Sequence, residues 1–340
     1  MNFNPQNILI INFGQLGDVV LSLPALHAVR ERFPNAKITA LIGQASAEII
    51  EITRLFDEKV AVDRVKLRDS ARIWSIKEIF KLVREIRRRK FDFVLDLHSL
   101  YETNLLGFLS GAKYRLYSNR ENRSLDFLAN FQPKPPLEDK KLHLTDYYLS
   151  VLKPLGVESA ERFVEICPAK SDIETIDNIL QTKSIAAKKL VGIFPGAGHA
   201  SRRWSLDKFA RLAEIFEADS SLQTIVFLGP EEADLRDEIE EKFPAATVIV
   251  DKLTLPQFAA ALSRLRVLVS NDTGAIHLSA IVGTRIVLIL DKNAPRTYLP
   301  LTEKLSVVRS GTLAEISVEE VLQAAQVFLA DDSFTADEKK

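Results

Sequence analysis

The sequence predicts an α/β protein built from two Rossmann-like domains. Short apolar runs of buried-strand character alternate with longer segments of helical period, the pattern of βαβ units and a parallel sheet. The alternation occurs twice, and each series opens on a strand that runs into a glycine-bearing loop. The length, 340 residues, suits two domains that each bury a core, with the loops at their strand ends facing across a ligand-binding cleft.

In the first half, strands are expected at 7–12, 37–42 and 91–96, and helices at 24–33 and 75–90. The apolar run from Ile8 to Ile11 has only four residues and no basic segment before it, so it reads as a strand and not as part of a secretory signal. In 75–90, Ile76, Ile79, Phe80, Val83 and Ile86 recur at helical spacing and leave Lys77, Lys81, Arg84, Arg87, Arg88 and Lys90 largely on the other faces. The segment QPKPPLEDKK at 132–141 reads as a loop, and Pro154, Gly156 and Pro168 break the chain further.

A helical segment at 172–182 leads into the second series, with strands at 190–194, 223–228, 267–270 and 285–290. Helices are expected at 206–219, 231–243, 275–282 and 318–330, followed by a polar tail, 331–340, expected to fray. The division is an N-terminal domain at 1–170 and a second domain at 171–316. Residues 317–340 form a C-terminal helix, able to pack back on the first domain, and the tail.

Composition narrows the function classes. The 45 basic and 46 acidic residues give a net charge of −1, which argues against a dedicated nucleic-acid binder. Cys167 is the one cysteine, so an intrachain disulfide and a cysteine-rich metal site are excluded, and a cytoplasmic setting fits. No window approaches 18 uninterrupted apolar residues, which leaves only peripheral membrane contact. The basic residues are not spread evenly. Between Arg64 and Lys90 there are eleven basic and three acidic residues, an excess of eight that leaves about −9 for the rest of the chain. A basic amphipathic helix suits an anionic membrane or a phosphorylated glycolipid, and it also suits a solvated helix face.

Three segments can carry chemistry. In 10–34 a strand ends at a loop with Gly14, Gln15 and Gly17, and Asp18 follows, placed to act as a general base or to cap a helix. These glycines do not complete the dinucleotide fingerprint G-x-G-x-x-G, so the oxidoreductase reading loses its main support. In 192–213 a strand enters the loop Pro195-Gly196-Ala197-Gly198. Small residues there let backbone amides approach an anion, and Arg202 and Arg203 can bond phosphate oxygens. The alternative is a solvated turn with Trp204 as packing and Ser205 as helix cap.

In 267–289 a buried strand ends at Asn271, Asp272, Thr273 and Gly274 at the mouth of a helix, whose N-terminus can bind phosphate while Asp272 takes sugar hydroxyls. His277 lies one turn inside, as a site residue or a structural one. Asp96 and His98 share a face at a strand end, as acceptor or metal groups or as plain structure, and Glu231 and Glu232 follow another strand end where they can meet ribose hydroxyls or favour a helix N-terminus.

Together these segments resemble glycosyltransferase family 9, the heptosyltransferases of the lipopolysaccharide inner core. Leu16-Gly17-Asp18 through Leu23-Pro24-Ala25-Leu26 is similar to the family's L-G-D-x-x-x-x-L-P-A-L signature. Pro195-Gly196-Ala197 with the basic pair and Trp204 is similar to its second motif, and Asn271 through Ser279, then Gly283, to its N-D-[ST]-G-x-x-H-x-A-x-x-x-G block. The resemblance implies a GT-B fold and inverting transfer with neither metal nor other cofactor. It places the acceptor in the first domain and the nucleotide sugar, ADP-heptose, in the second. By the match Asp18 is the base, and Gly14, Gln15, Gly17 and His98 lie on the acceptor side. Pro195, Gly196, Ala197, Gly198, Arg202, Arg203, Glu231, Asp272, Thr273, Gly274 and His277 lie on the donor side.

The absence of a D-x-D triplet agrees with a site that holds the diphosphate by protein groups. Two departures stand out. LILDKNAPR at 288–296 replaces the family's G-P-T-x-P loop, which bears on donor contacts, and Ser279 replaces a common Ala. An epimerase or hydrolase acting on a nucleotide sugar can use the same fold, as can a non-catalytic two-domain ligand-binding protein.

Overall fold

The computed structural model describes residues 3–121 and 124–331; the tail beyond Asp331, expected to fray, lies outside them. The chain divides into two compact units, Met1–Val164 and Glu165–Lys340. The division falls a few residues before 170/171, because the Ile166 N–H already donates to the Ile281 carbonyl of the second unit (2.6 Å).

The first unit holds a five-stranded parallel sheet made of β1 (Asn7–Asn12), β2 (Lys37–Gly43), β3 (Glu58–Val62), β4 (Phe93–Asp96) and β5 (Tyr114–Tyr117), in the order β3-β2-β1-β4-β5. The second holds a six-stranded parallel sheet of β6 (Lys189–Phe194), β7 (Leu222–Leu228), β8 (Val248–Asp251), β9 (Leu265–Asn271), β10 (Ile286–Asp291) and β11 (Leu305–Ser310). Its order is β11-β10-β9-β6-β7-β8. These are the two Rossmann-like sheets of a GT-B fold.

The seven strands expected from apolar runs are all present. The four that were not anticipated are β3, β5, β8 and β11, and each is an edge strand of its sheet. An edge strand is covered on fewer sides, so its sequence need not be continuously apolar: β8 and β11 are half-buried throughout, whereas every residue of β9 is buried.

The first helix runs over Leu16–Arg32 and contains Pro24, so it starts two turns before the expected 24–33. Proline removes one intrahelical bond, but this helix buries Val19 through Leu26 against the unit's core, and that burial outweighs the loss. The expected 231–243 helix divides into a 3₁₀ stretch, Pro230–Leu235, and an α-helix, Arg236–Lys242. The helix Val318–Ala330 places Val318, Val321 and Ala325 in the core of the second unit, beside Trp204 and Phe209. Among the described residues no helix is long and apolar enough to cross a membrane.

Candidate functional site

In each sheet the unit's first strand lies between its second and fourth, so the winding reverses between β1 and β4 and again between β6 and β9. The carboxyl edge beside such a reversal is where open α/β sheets bind ligands, because the loops there diverge. The three motif segments leave β1, β6 and β9 at these edges.

In the first unit the chain leaves β1 through Phe13 and Gly14. The Gly14 N–H donates to Asn12 Oδ1 (2.9 Å), and Asn12 is held in turn on Ser22 Oγ (3.1 Å). Gln15 occupies the N-cap, and the Gln15 N–H donates to Asp18 Oδ2 (3.1 Å). Asp18 therefore closes the cap from the third helical position, one carboxylate oxygen committed to the backbone and the group half-buried. Burial pushes its pKa above the ordinary carboxylate range, against the opposing pulls of the Gln15 amide and the Arg120 charge. Gly14 has a steric role: a Cβ there would lie 2.6 Å from Asp18 Cβ. Gln15 is exposed, and Gly17 sits half-buried in the first helical turn.

Asp96, at the end of β4, is fully buried and accepts from Ser99 N (2.8 Å) and Asn104 Nδ2 (2.7 Å). Burial raises its pKa to about 6. These bonds make Asp96 the knot of the β4 loop. His98 is half-buried and its Nε2 is enclosed without a hydrogen-bond partner among the described residues. Burial, with the charges of Arg120 and Arg64, lowers its pKa to about 4, so the imidazole is neutral at physiological pH.

Arg120 and Arg64 were not singled out as site residues. Arg120 follows the unanticipated strand β5, is largely buried, and bonds Tyr147 Oη (3.3 Å) and Glu138 (3.4 Å). Arg64 donates to the Phe13 carbonyl (2.8 Å) and stacks over its ring. The only signal of Arg64 in the sequence was the basic excess that begins there.

In the second unit Pro195, Gly196 and Ala197 are buried and Gly198 is exposed. Asn271, fully buried, anchors this loop: its Nδ2 donates to Pro195 O (2.8 Å) and its Oδ1 accepts from Trp204 N (3.0 Å). Trp204 is packing, as the plainer reading had it, with its indole N–H on Ile316 O (3.0 Å). Ser205 takes the N-cap position without a side-chain bond.

Arg202 is exposed, with Nη1 4.0 Å from Asp272 Oδ2, and Arg203 bonds the Ala197 carbonyl (3.3 Å). Thr273 caps the helix Gly274–Ile281 by accepting from Ala275 N (3.2 Å). Burial raises the Asp272 pKa, opposed by Arg202 and Arg309. His277 is 6% exposed, inside a helix buried from Ala275 to Ile281.

Of the two glutamates at this edge, Glu231 is exposed and Glu232 is buried beside the loop, so close that a Cβ on Gly196 would lie 2.2 Å from its Oε1. Arg309, at the end of the unanticipated strand β11, also joins the group. Burial lowers its pKa, and so does the charge of Arg296, which stands in the stretch that departs from the family's loop. Arg202, Arg203, Arg296 and Arg309, with the amides at the start of the 274–281 helix, are the groups of this unit whose chemistry suits an anion.

Among the described residues no three His, Cys, Asp or Glu side chains converge as a metal-ligand set. An open pocket lined by Asn7, Lys37, Thr39, Glu58, Lys59 and Arg89 lies at the opposite ends of the strands, bridged by the Lys37–Glu58–Arg89 ion pairs.

Comparison with known proteins adds the family. The family model for glycosyltransferase family 9 (heptosyltransferase) matches residues 79–326. Lipopolysaccharide heptosyltransferase 3 of Escherichia coli is 21% identical, with 92% of each chain covered. Two solved structures share the fold. One is a family 9 glycosyl transferase from Veillonella parvula (TM-score 0.84, 24% identity, 97% of this chain and 99% of that one). The other is the E. coli ADP-heptose lps heptosyltransferase II (TM-score 0.79, 18% identity, 95% and 98% covered).

Proposed function

The chain belongs to glycosyltransferase family 9, the heptosyltransferase family, and from that premise we propose that it moves a heptose, or a closely related sugar, from ADP-heptose to a lipopolysaccharide-core acceptor, with inversion and without a metal. The observation that carries the reading is the arrival of all three motif segments at the carboxyl edges of two sheets, beside their winding reversals. The ADP-heptose named for the E. coli relative supports the choice of donor.

The acceptor binds at the edge of the first unit, with Gly14, Gln15, Gly17, His98 and the cations of Arg64 and Arg120 around Asp18. The donor binds at the edge of the second. Its diphosphate meets Arg202, Arg203, Arg309 and the 274–281 helix start, and Asp272 or Glu232 meets its hydroxyls. The acceptor oxygen attacks the anomeric carbon as its proton passes to Asp18. The bond from that carbon to the phosphate oxygen breaks, and ADP leaves with the electron pair. General-base help contributes about 10²–10⁴-fold, and the arginine cations stabilise the charge growing on the leaving diphosphate. No D-x-D triplet offers a metal to do that work, and the arginines supply the equivalent charge.

The test is Asp18→Asn with authentic ADP-heptose and a deacylated core acceptor. The expected result is a loss of about 10²–10⁴-fold in kcat with ADP binding retained. The wild-type product should show inverted anomeric configuration by NMR, and chelator should leave the rate unchanged. Near-wild-type turnover by Asp18→Asn overturns the base assignment.

A further inference from the structure

The Arg72–Arg88 helix buries Ile86 and packs Leu82 and Val83 on the core of the first unit, as its period requires. Four of its apolar side chains stay exposed instead: Ile73 72%, Ile76 61%, Ile79 45% and Phe80 74%. Ile73, Ile76 and Phe80, at i, i+3 and i+7, form an apolar stripe that Val83 continues, so the N-terminal half of the helix leaves uncovered a stripe that its C-terminal half packs on the core, and Lys77, Arg84 and Arg87 border it. A helix with an ordinary solvated face has no reason to carry such a stripe.

The charges around it are unneutralised. Each acidic residue of 64–90 is already paired: Asp69 with Arg68 (2.7 Å), Glu78 with Lys81 (2.5 Å) and Glu85 with Arg89 (2.6 Å). Arg72, Lys77, Arg84, Arg87 and Arg88 form no ion pair among the described residues.

The stripe also has a fixed orientation. Asn7 Nδ2 bonds the Arg89 carbonyl (2.7 Å), which holds the helix C-terminus at the amino edge of the sheet. At the other end Ser75 Oγ bonds Leu67 O (2.8 Å), joining the helix to its neighbour Arg64–Asp69, and Arg64 is bonded to Phe13 O (2.8 Å) in the loop before Asp18. Ile73 and Ile76 therefore stand toward the catalytic edge of the unit.

We propose that this face docks on an anionic lipid bilayer, with Ile73, Ile76 and Phe80 entering the interfacial region and Lys77, Arg84 and Arg87 meeting lipid phosphates. Apolar side chains surrounded by unpaired cations suit an anionic interface, where burial and charge attraction act together. A second copy of this chain would set the same cations against each other and is disfavoured by that repulsion. Docking there brings the acceptor edge to the membrane plane. That consequence rests on the glycolipid acceptor proposed above, but the docking itself does not.

The experiment uses the full chain with vesicles of phosphatidylcholine alone or with about 30% phosphatidylglycerol, read by co-sedimentation and by brominated-lipid quenching. Trp74 lies on the helix, while Trp204 is buried in the second unit and out of reach. We expect binding only to the anionic vesicles, quenching of Trp74, and roughly tenfold or greater weakening by Ile73→Gln/Ile76→Gln/Phe80→Gln and, separately, by Lys77→Gln/Arg84→Gln/Arg87→Gln. All six side chains are exposed, so both variants keep the fold, and turnover of a deacylated, water-soluble acceptor stays unchanged. Equal binding by the apolar triple variant overturns the proposal. So does failure to bind anionic vesicles, or a lipid-free dimer that the same triple variant disperses. Vesicle binding without any heptose transfer would leave docking standing and remove the transferase reading.

Discussion

The substitution Gly14→Ala reports directly on how tightly the loop after β1 is built around Asp18. An added Cβ would lie 2.6 Å from Asp18 Cβ, 3.0 Å from Asn12 Oδ1 and 3.2 Å from Asp18 Oδ2. Carbon atoms in contact prefer about 3.5–4.0 Å, so roughly 1 Å must be recovered. Neither side yields freely. Gly14 is tied to Asn12 Oδ1, and Asp18 Cβ belongs to a helical turn closed by Gln15 N to Asp18 Oδ2 (3.1 Å) and by Val19 N to Gln15 O (3.0 Å). The displacement therefore falls on the carboxylate or on the helix start. Overpacking of this kind costs about 1–3 kcal/mol, and moving a catalytic group by about 1 Å costs on the order of 10²-fold in rate. We expect a folded Gly14→Ala protein whose urea midpoint falls by that equivalent, with kcat down about 10²-fold and ADP affinity unchanged. Gly43→Ala is the control, because an added Cβ there meets nothing within 4 Å. A Gly14→Ala enzyme with stability and kcat within about twofold of wild type would refute the idea that Asp18 must sit where this glycine lets it sit.

Three further outcomes are expected. Asp18 works as a base only when ionised, and burial raises its pKa while Arg120 opposes the rise, so kcat/KM falls on the acid side at a higher pH than for an ordinary carboxylate. Arg120→Met moves that limb higher still, and a pH profile with an unmoved or lowered limb contradicts the assignment. Asn271→Ala strips buried partners from Trp204 N and Pro195 O. At about 1–3 kcal/mol per stranded group, urea unfolding should show a loss of about 2–6 kcal/mol, and a loss below about 0.5 kcal/mol speaks against Asn271 as the anchor. Arg309→Met should weaken ADP by roughly ten- to a hundredfold in calorimetry while sparing adenosine, which has no diphosphate; equal weakening of both ligands removes Arg309 from the phosphate site.

The candidate site could be read from the sequence where its chemistry is local. Asp18, the 195–198 loop and the 271–274 turn each follow an apolar run directly, so their place at a strand end was evident from the chain order. What escaped depends on strands with a weak apolar pattern. Arg120 and Arg309 sit at the ends of β5 and β11, edge strands whose partial exposure dilutes the apolar signal. Of Glu231 and Glu232, both visible after a strand, only the fold decided that Glu232 lies against the loop, on the 3₁₀ stretch Pro230–Leu235.

By itself the sequence determined the α/β class, the doubled βαβ pattern, the family motifs and the basic stretch, since each is carried by residues near one another in the chain. Only tertiary structure decided which of those residues are buried and which charges surround them. Burial raises the Asp18 pKa while Arg120, distant in the chain, opposes the rise, and Ile73, Ile76 and Phe80 stay exposed although Val83, one heptad after Ile76 on the same side of the helix, is packed on the core. Periodicity can count the apolar faces of a helix, but which of them the core accepts is set by long-range packing.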